Sequence, residues 1–299
     1  MARISEDPVP AEGPQALGEK LALGDKLALG EKLAPGDKQA PGDKQVGDET
    51  RVSTGNPAAA QMFVAAVRDY AYRRAGDPVR LLEAGCGRLG GDLGVGRLRA
   101  AGFDIRVNGI DHDHPLTREI TAARGDLQSV TLGDLRTVPL PPRSCDIVHC
   151  ARLLERIWHV ELVLDRLVAA LKPGGVLLLR TADRDCAAGV VDRVAAALPG
   201  RVREHVWRHL RPGEPGPYPA AYEDIVSGPG IQGFALMRGL VIAERRATRS
   251  DLTGTGVWWR ALGSARRLAA AASRGKYTDD HDELLFVMRR PEDRFARVL

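Results

Sequence analysis

The chain has 299 residues, of which 44% are hydrophobic and 27% charged, and its formal net charge is +4 at pH 7. This composition is that of an ordinary globular protein, and it excludes collagen, coiled-coil and wholly disordered chains. No apolar run approaches the roughly 20 residues of a membrane span and the N-terminus has no signal-peptide pattern, so we expect a soluble, cytoplasmic protein without a membrane partner.

The basic residues and the cysteines exclude two further classes. The basic excess consists of scattered arginines without lysine/arginine blocks or interleaved aromatic residues, so no nucleic-acid partner is expected. The four cysteines, at positions 86, 145, 150 and 186, form no Cys-x-x-Cys pair and have no histidine at zinc spacing. We therefore expect reduced thiols and no metal site.

The first segment of the chain is a repeat. Residues 16–45 contain five copies of the pattern Ala-Leu/Pro-Gly-Asp/Glu-Lys-Leu/Gln, with charges and glycine in every copy. Such a sequence buries too little apolar surface to order itself. We predict a disordered tail over residues 1–52, followed by one folded domain over residues 53–299.

Folding is expected to begin at Asn56-Pro57, which is typical of a helix start. Apolar runs then alternate with helical stretches, and a last pair of runs is expected to close the sheet. The runs are residues 79–85, 104–111, 129–134, 145–150, 175–181, 240–247 and 283–290. This alternation predicts an α/β fold, with a doubly wound, mostly parallel sheet of about seven strands and helices on both faces.

A glycine-rich loop follows the first predicted strand. Gly85-x-Gly87-x-x-Gly90 matches a dinucleotide-binding pattern, and Asp111 at the end of the second strand is suited to ribose hydroxyls. A carboxylate at Glu83 would repel a pyrophosphate but attract the ammonium and sulfonium charges of S-adenosylmethionine. The acid therefore favours the sulfonium cofactor over NAD.

Here the chain resembles the class I S-adenosylmethionine-dependent methyltransferases, whose motifs occur in the same order over residues 79–182. The matching motifs are residues 82–87 (the glycine loop), 109–112 (the end of strand two), 133–135 (the turn after strand three), 139–157 (the stretch through strand four) and 171–175 (the turn into strand five). The resemblance implies a Rossmann-like methyltransferase fold and S-adenosylmethionine as cofactor.

The resemblance also implies which positions contact the cofactor. They are Glu83, Gly85, Cys86 and Gly87 at the methionine end, Asp111 and His112 at the ribose, Gly133, Asp134 and Leu135 at the adenine, and Cys150, Ala151 and Arg152 beside the methyl group.

Methyl transfer is an in-line displacement, so positioning supplies most of the acceleration and a base is optional. His149 and Asp183 are the candidate bases, although His149 lies in an apolar strand and is also compatible with a core position. No Asp/Asn-Pro-Pro-aromatic tetrapeptide follows strand four. We expect a small-molecule acceptor that is methylated on oxygen or nitrogen, such as a sugar or a secondary metabolite.

Residues 186–228 are longer than a connection requires, and they are predicted to form a lid of two helices, Ala187–Leu198 and Val202–Leu210, and a Pro/Gly-rich loop. Arg184 and the two tyrosines Tyr218 and Tyr222 are the candidate acceptor contacts. Plain packing of the tyrosines on the domain is the alternative.

Two other functions remain open at this point. An NAD-dependent oxidoreductase would use the same sheet, although the chain has no Tyr-x-x-x-Lys pair. A catalytically silent methyltransferase-like partner subunit is compatible with Arg152 and with a glycine loop that departs from the family pattern. The sequence does not identify the acceptor, the oligomeric state or a role for the repeat.

Overall fold

The computed structural model describes residues 57–87, 93–210, 217, 219–249 and 257–292. The hexapeptide repeat, the tail predicted over residues 1–52 and Tyr218 lie outside the described residues. The helix expected to start at Pro57 is present, and Pro57 is the first residue of that helix.

Helices and strands alternate through the described residues. The helices are α1 (Pro57–Arg73), α2 (Val95–Ala100), α3 (Pro115–Ala122), α4 (Val160–Ala170), α5 (Ala187–Ala196), α6 (Gly200–Leu210), α7 (Gly228–Met237) and α8 (Val257–Ala272), with a 3-10 turn at Leu154–Arg156. The strands are β1 (Val79–Ala84), β2 (Ile105–Asp111), β3 (Leu127–Leu132), β4 (Cys145–Ala151), β5 (Leu171–Ala182), β6 (Val241–Thr248) and β7 (Glu283–Arg289).

These strands form one seven-stranded sheet in the order β3-β2-β1-β4-β5-β7-β6. The first five strands are parallel, whereas β7 runs antiparallel to both β5 and β6. The predicted α/β fold and its closing strand pair are therefore confirmed. Strand β5 begins at Leu171, earlier than expected, because Leu171 already pairs with Cys145 before the register shifts.

Both faces of the sheet are buried at its central strands, as a parallel sheet with helices on both sides requires, whereas the edge strands β3 and β6 are largely exposed. Leu81 of β1 packs in the core beneath α1 and α2, while its neighbour Leu82 packs in the core beneath α4 and α7. All seven residues of β4 are buried. The near-continuous apolar runs of the sequence are thus explained by helices on both faces.

The carboxyl ends of β1 to β5 meet at one edge of the sheet, where β7 begins. Strand order reverses between β1 and β4, and the crevice outside such a reversal is where open α/β sheets bind ligands. The segment between β5 and α7 contains α5 and α6 near their predicted positions, and α8 packs on α5. Among the described helices, none is both long and apolar enough to cross a membrane.

Candidate functional site

A cavity of about 270 Å³ opens at this edge, between the segments that follow β2, β3 and β4. Its lining residues are Asp111, His112, Asp134, Leu135, Arg136, Leu153, Arg156, Ile157, Trp158, Val163 and Pro219. The cavity brings together the second and third of the predicted cofactor segments, which the sequence places more than 20 residues apart.

Asp111 connects the cavity to the glycine loop. It is 2% exposed, and its Oδ2 accepts the backbone N–H of Gly87 at 2.8 Å, while its Oδ1 accepts that of His112 at 2.7 Å. Each carboxylate oxygen has two lone pairs, so both can accept a second bond. Asp111 therefore fixes the loop and remains an acceptor at the cavity wall.

Gly87 tolerates no side chain at this position. A Cβ added there would lie 2.3 Å from the Cγ2 of Thr117 on α3 and 3.1 Å from Oδ2 of Asp111. Gly85 has a φ of 89°, in the left-handed region that favours glycine. The two glycines let the loop lie directly against α3 and the end of β2.

Asp134 also lines the cavity. Its carboxylate binds the Arg136 guanidinium at 2.7 to 3.1 Å, and hydrogen bonds from the Arg136 side chain and backbone lower the pKa of Asp134 to about 2. The N–H of Gly133, just before it, donates to the backbone oxygen of Asp111 at 2.9 Å. Asp134 is thus an ionised acceptor throughout the neutral pH range.

Glu83 forms an ion pair with Arg124. Its two oxygens accept from Arg124 at 3.0 and 2.8 Å, and the same guanidinium donates to the backbone oxygen of Cys86 at 3.1 Å. Glu83 is therefore not an isolated charge, but Arg124 is shared with Asp126 at 2.6 Å, so the pair does not remove the attraction for a sulfonium. Glu83 orders the glycine loop through Arg124, which sequence reasoning missed; a direct contact with a ligand stays a prediction.

The two cysteines among the predicted contacts turn their thiols inward. Both are fully buried, and a Cβ on Gly109 would lie 2.6 Å from Sγ of Cys86, so the thiol occupies the space that this glycine leaves. Burial raises the pKa of Cys86 to about 12. At Cys86 and Cys150 only the backbone is therefore suited to a ligand contact.

Beyond β4 lies a buried charge cluster, which we define as Arg152, Glu155, Arg180 and Glu283. Arg152 adopts a φ of 54° and forms ion pairs with Glu155 at 3.1 Å and with Glu283 at 3.3 Å. Arg180 binds Glu283 through two hydrogen bonds, at 3.0 and 2.9 Å. The Arg152 guanidinium is therefore engaged by protein carboxylates, while the neighbouring Ala151 is 9% exposed.

Arg156 links the cavity to the segment between β5 and α7. It lines the cavity, pairs with Asp192 of α5 at 2.8 Å and lies over the Trp207 ring of α6 at 5.3 Å. Tyr222 donates to the same Asp192 at 2.8 Å and is only 3% exposed. The predicted stacking of Tyr222 on an acceptor is corrected: its ring is packed in the core, where it anchors the segment.

Arg184, the other predicted acceptor contact, forms an ion pair with Asp224 and is absent from the described cavity wall. Tyr218 lies outside the described residues. Of the two predicted bases, His149 occupies the core position that the sequence also allows. His149 is 2% exposed, and its ring meets the edge of Phe63 with centroids 5.6 Å apart. Burial lowers the pKa of His149 to about 4, as expected for a neutral core histidine.

Asp183 is not a free carboxylate. It is 6% exposed, and its Oδ2 lies 2.8 Å from Nε2 of His281. Sequence reasoning missed His281, because it stands among acidic residues about 100 positions later without a recognisable motif. The pair lies at the same edge of the sheet as the cavity.

The walls of the cavity match the chemistry of a nucleoside. Two carboxylates, Asp111 and Asp134, are acceptors for hydroxyl and amino groups, and apolar side chains at Leu135, Leu153 and Ile157 form surfaces for a flat ring. The two acceptors and the apolar surfaces therefore fit an adenosine moiety on grounds of chemistry and space.

Comparison with known proteins agrees with this geometry. A family model described as a methyltransferase domain matches residues 58–218. The chain is 34% identical over 114 residues to a probable S-adenosylmethionine-dependent methyltransferase of Mycolicibacterium smegmatis. This match covers 38% of the chain and 41% of the relative, so the chain spans about two fifths of the curated relative it matches.

Solved structures with a similar backbone fold have low sequence identity to this chain. A methyltransferase from Mesorhizobium loti is 20% identical with a TM-score of 0.45, over 78% of this chain and 98% of that one. A methyltransferase from Archaeoglobus fulgidus is 13% identical with a TM-score of 0.42, over 77% and 94%.

Proposed function

Since the chain belongs to the class I S-adenosylmethionine-dependent methyltransferase family, we propose that it transfers the methyl group of S-adenosylmethionine to a small-molecule acceptor. The observation that carries this proposal is the cavity at the edge of the sheet that Asp111 and Asp134 line together with apolar side chains. When bound, S-adenosylmethionine supplies a methyl group activated by its positively charged sulfur.

The residues around the cavity have distinct tasks in this proposal. Asp111 accepts hydrogen bonds from ribose hydroxyls, and Asp134 accepts from the adenine amino group, while Leu135 and Ile157 pack on the ring. Gly85 and Gly87 allow close approach of the backbone, and the Glu83–Arg124 pair holds that loop in place. Because these groups are ordered by the protein itself, little reorganisation opposes binding.

The helices α5 and α6 are proposed to cover the acceptor. Their connection to the cavity through Arg156 and Asp192 supports this role, since the same arginine contacts both regions. Covering the acceptor excludes water and aligns donor and acceptor, which is where most of the rate enhancement of an in-line displacement originates. An enclosed acceptor of this kind is a small molecule rather than a nucleic acid or a membrane lipid.

The proposal is tested by calorimetry with S-adenosylmethionine, S-adenosylhomocysteine and NAD. Binding of the first two and not of NAD is expected. Asp111→Ala removes acceptors for charge-assisted hydrogen bonds, worth roughly 1.5 to 3 kcal/mol, so the affinity for S-adenosylhomocysteine falls about ten- to a hundredfold. Asp104→Ala is the matched control, because Asp104 precedes β2 at the opposite end of the same strand and pairs with Arg106 at the surface.

Unchanged affinity in Asp111→Ala would remove this residue from the site, and binding of NAD alone would favour an oxidoreductase. Tight binding of S-adenosylmethionine without methylation of any acceptor would favour a catalytically silent partner subunit.

A further inference from the structure

We propose that His281, positioned by Asp183, accepts the proton of a hydroxyl group on the acceptor, so that the protein methylates oxygen in an alcohol or phenol. This inference rests on the proposed methyl transfer and specifies its substrate class. It assigns the proton-accepting role to a residue that no sequence motif marks, and it changes the role of Asp183 from a base to a positioning residue.

Asp183 is held so that only one of its oxygens is directed to the imidazole. Its Oδ1 accepts the backbone N–H of Asp185 at 2.9 Å, and its Oδ2 lies 2.8 Å from Nε2 of His281. The backbone N–H of Asp183 donates to the oxygen of Asp282 at 3.0 Å, which joins the two segments next to the pair. Because an ionised carboxylate only accepts, the shared proton belongs to Nε2 and the lone pair of the neutral ring to Nδ1.

The pair lies at the edge of the sheet that carries the cavity. Asp183 directly follows β5 and His281 precedes β7, so both are at the edge that carries the cavity and the glycine loop. Helix α5 starts four residues after Asp183, and the N–H of Ala187 donates to the oxygen of Thr278 at 2.8 Å. Because the pair lies beside the start of the proposed cover, the acceptor hydroxyl is placed there in this proposal.

His281 is accessible where the other candidate is not. Its side chain is 21% exposed, whereas His149 lies in the core with 2% of its surface exposed. Solvent therefore contacts part of the His281 side chain, whereas that of His149 is enclosed in the core.

The surroundings of His281 favour a proton on the ring. The hydrogen bond to Asp183 raises the pKa of His281 against the opposing effect of burial, and Asp282 and Asp280 raise it further. Two arginines moderate this acidic environment: Arg266 of α8 pairs with Asp282 at 2.9 Å and with Asp279 at 3.1 Å, and Arg249 pairs with Asp279 at 3.7 Å. A base whose pKa lies closer to the working pH is the more effective one.

Methyl transfer to a hydroxyl group moves two electron pairs and one proton. A lone pair of the acceptor oxygen forms the new oxygen–carbon bond, the electron pair of the carbon–sulfur bond returns to sulfur, and the hydroxyl proton passes to Nδ1 of His281. The imidazolium so formed is stabilised by the Asp183 carboxylate. An amine bound in its neutral form reacts without such a group, which is why the pair indicates a hydroxyl.

The test uses matched acceptors that differ only in the reacting atom, such as phenol and aniline derivatives and sugar alcohols and their amino counterparts. We expect methyl transfer to the acceptor of each pair that carries a hydroxyl group. His281→Ala should lower kcat about a hundredfold or more, the range for loss of a general base, with KM and affinity for S-adenosylhomocysteine unchanged. Added imidazole should restore part of the rate.

The pH profile separates this role from a structural one. In the native protein kcat should rise with pH through the raised pKa of His281, above the ordinary value of about 6.5. Asp183→Asn should move this limb to lower pH and reduce the plateau. His159→Asn is the matched control, because it removes an exposed imidazole from a residue with a φ of 60°, which asparagine also adopts.

Transfer to amines only, or full activity of His281→Ala across pH, would overturn the inference and leave the proposed function intact. Failure to bind S-adenosylhomocysteine, or binding without methyl transfer to any of the hydroxyl or amino acceptors, would overturn the proposed function and this inference with it. If circular dichroism shows that His281→Ala is unfolded, His281→Asn takes its place. The asparagine amide can still donate a hydrogen bond to Asp183, but it does not accept a proton at neutral pH.

Discussion

Replacing Gly87 by alanine should force apart the glycine loop and helix α3. The added Cβ would lie 2.3 Å from Cγ2 of Thr117, about 1.1 Å short of ordinary van der Waals contact. The loop and helix are both fixed, the loop by the Gly87–Asp111 hydrogen bond and the helix by the sheet beneath it. Overpacking of this kind costs about 1 to 3 kcal/mol, which lowers the Tm of a domain this size by about 2 to 10 °C.

Thr117→Ser makes the prediction specific to this contact. Serine keeps the hydroxyl and removes Cγ2, so the remaining contacts of the new Cβ are the Cβ of residue 117 and Oδ2 of Asp111, both at 3.1 Å, which is tight but tolerable. Alone, Thr117→Ser should cost about 1 kcal/mol for the lost methyl group. Combined with Gly87→Ala it should recover most of the loss, giving a coupling of about 1 to 2 kcal/mol in a double-mutant cycle.

Two measurements check this. Urea unfolding gives the free energies of the four proteins in the cycle, and calorimetry gives the affinity for S-adenosylhomocysteine, which should fall in Gly87→Ala and recover in the double variant. Stability of Gly87→Ala equal to that of the native protein, or additive effects of the two substitutions, would refute the steric reasoning.

Two further predictions concern buried titratable side chains. For His149, the folded-state pKa of about 4 lies below the unfolded value of 6.5, so its contribution is fully present above pH 6.5 and is lost as the pH falls to about 4, by about 3 kcal/mol. Urea unfolding at stepped pH should show this loss in the native protein and not in His149→Phe; equal pH dependence would contradict it. Glu283→Gln should destabilise the protein by about 3 to 5 kcal/mol, because Glu283 is fully buried between Arg152 and Arg180. Adding Arg180→Met should recover part of this loss. If Glu283→Gln alone lowers the free energy of unfolding by less than about 1 kcal/mol, Glu283 is not the counter-charge of these arginines.

The fold and the position of the cavity were accessible from sequence because they depend on local patterns. Apolar runs bounded by glycine or charged residues predict strands, and residues at the carboxyl ends of parallel strands necessarily meet at one edge. Asp111 and Asp134 line the same cavity for this reason.

The partners of these residues were not accessible, because they come from distant segments without a pattern. Arg124 binds Glu83 across 41 positions, and His281 reaches Asp183 across 98. Tyr222 was interpreted as a ring for an acceptor, since the sequence does not show that Asp192 on α5 binds its hydroxyl. Such pairings depend on how helices cover the edge, which local propensity does not encode.

The buried charge cluster has a consequence for synthesis of the chain on the ribosome. Arg152 is translated 131 residues and Arg180 103 residues before Glu283, the carboxylate that binds both of them. Until β7 emerges, Arg152 can pair with Glu155, whereas Arg180 lacks the carboxylate that binds it in the complete sheet and β5 lacks its antiparallel partner. A ribosome that stops before codon 283 therefore releases a chain whose β5 edge is unpaired, which we expect to be more open to proteolysis than the full-length chain.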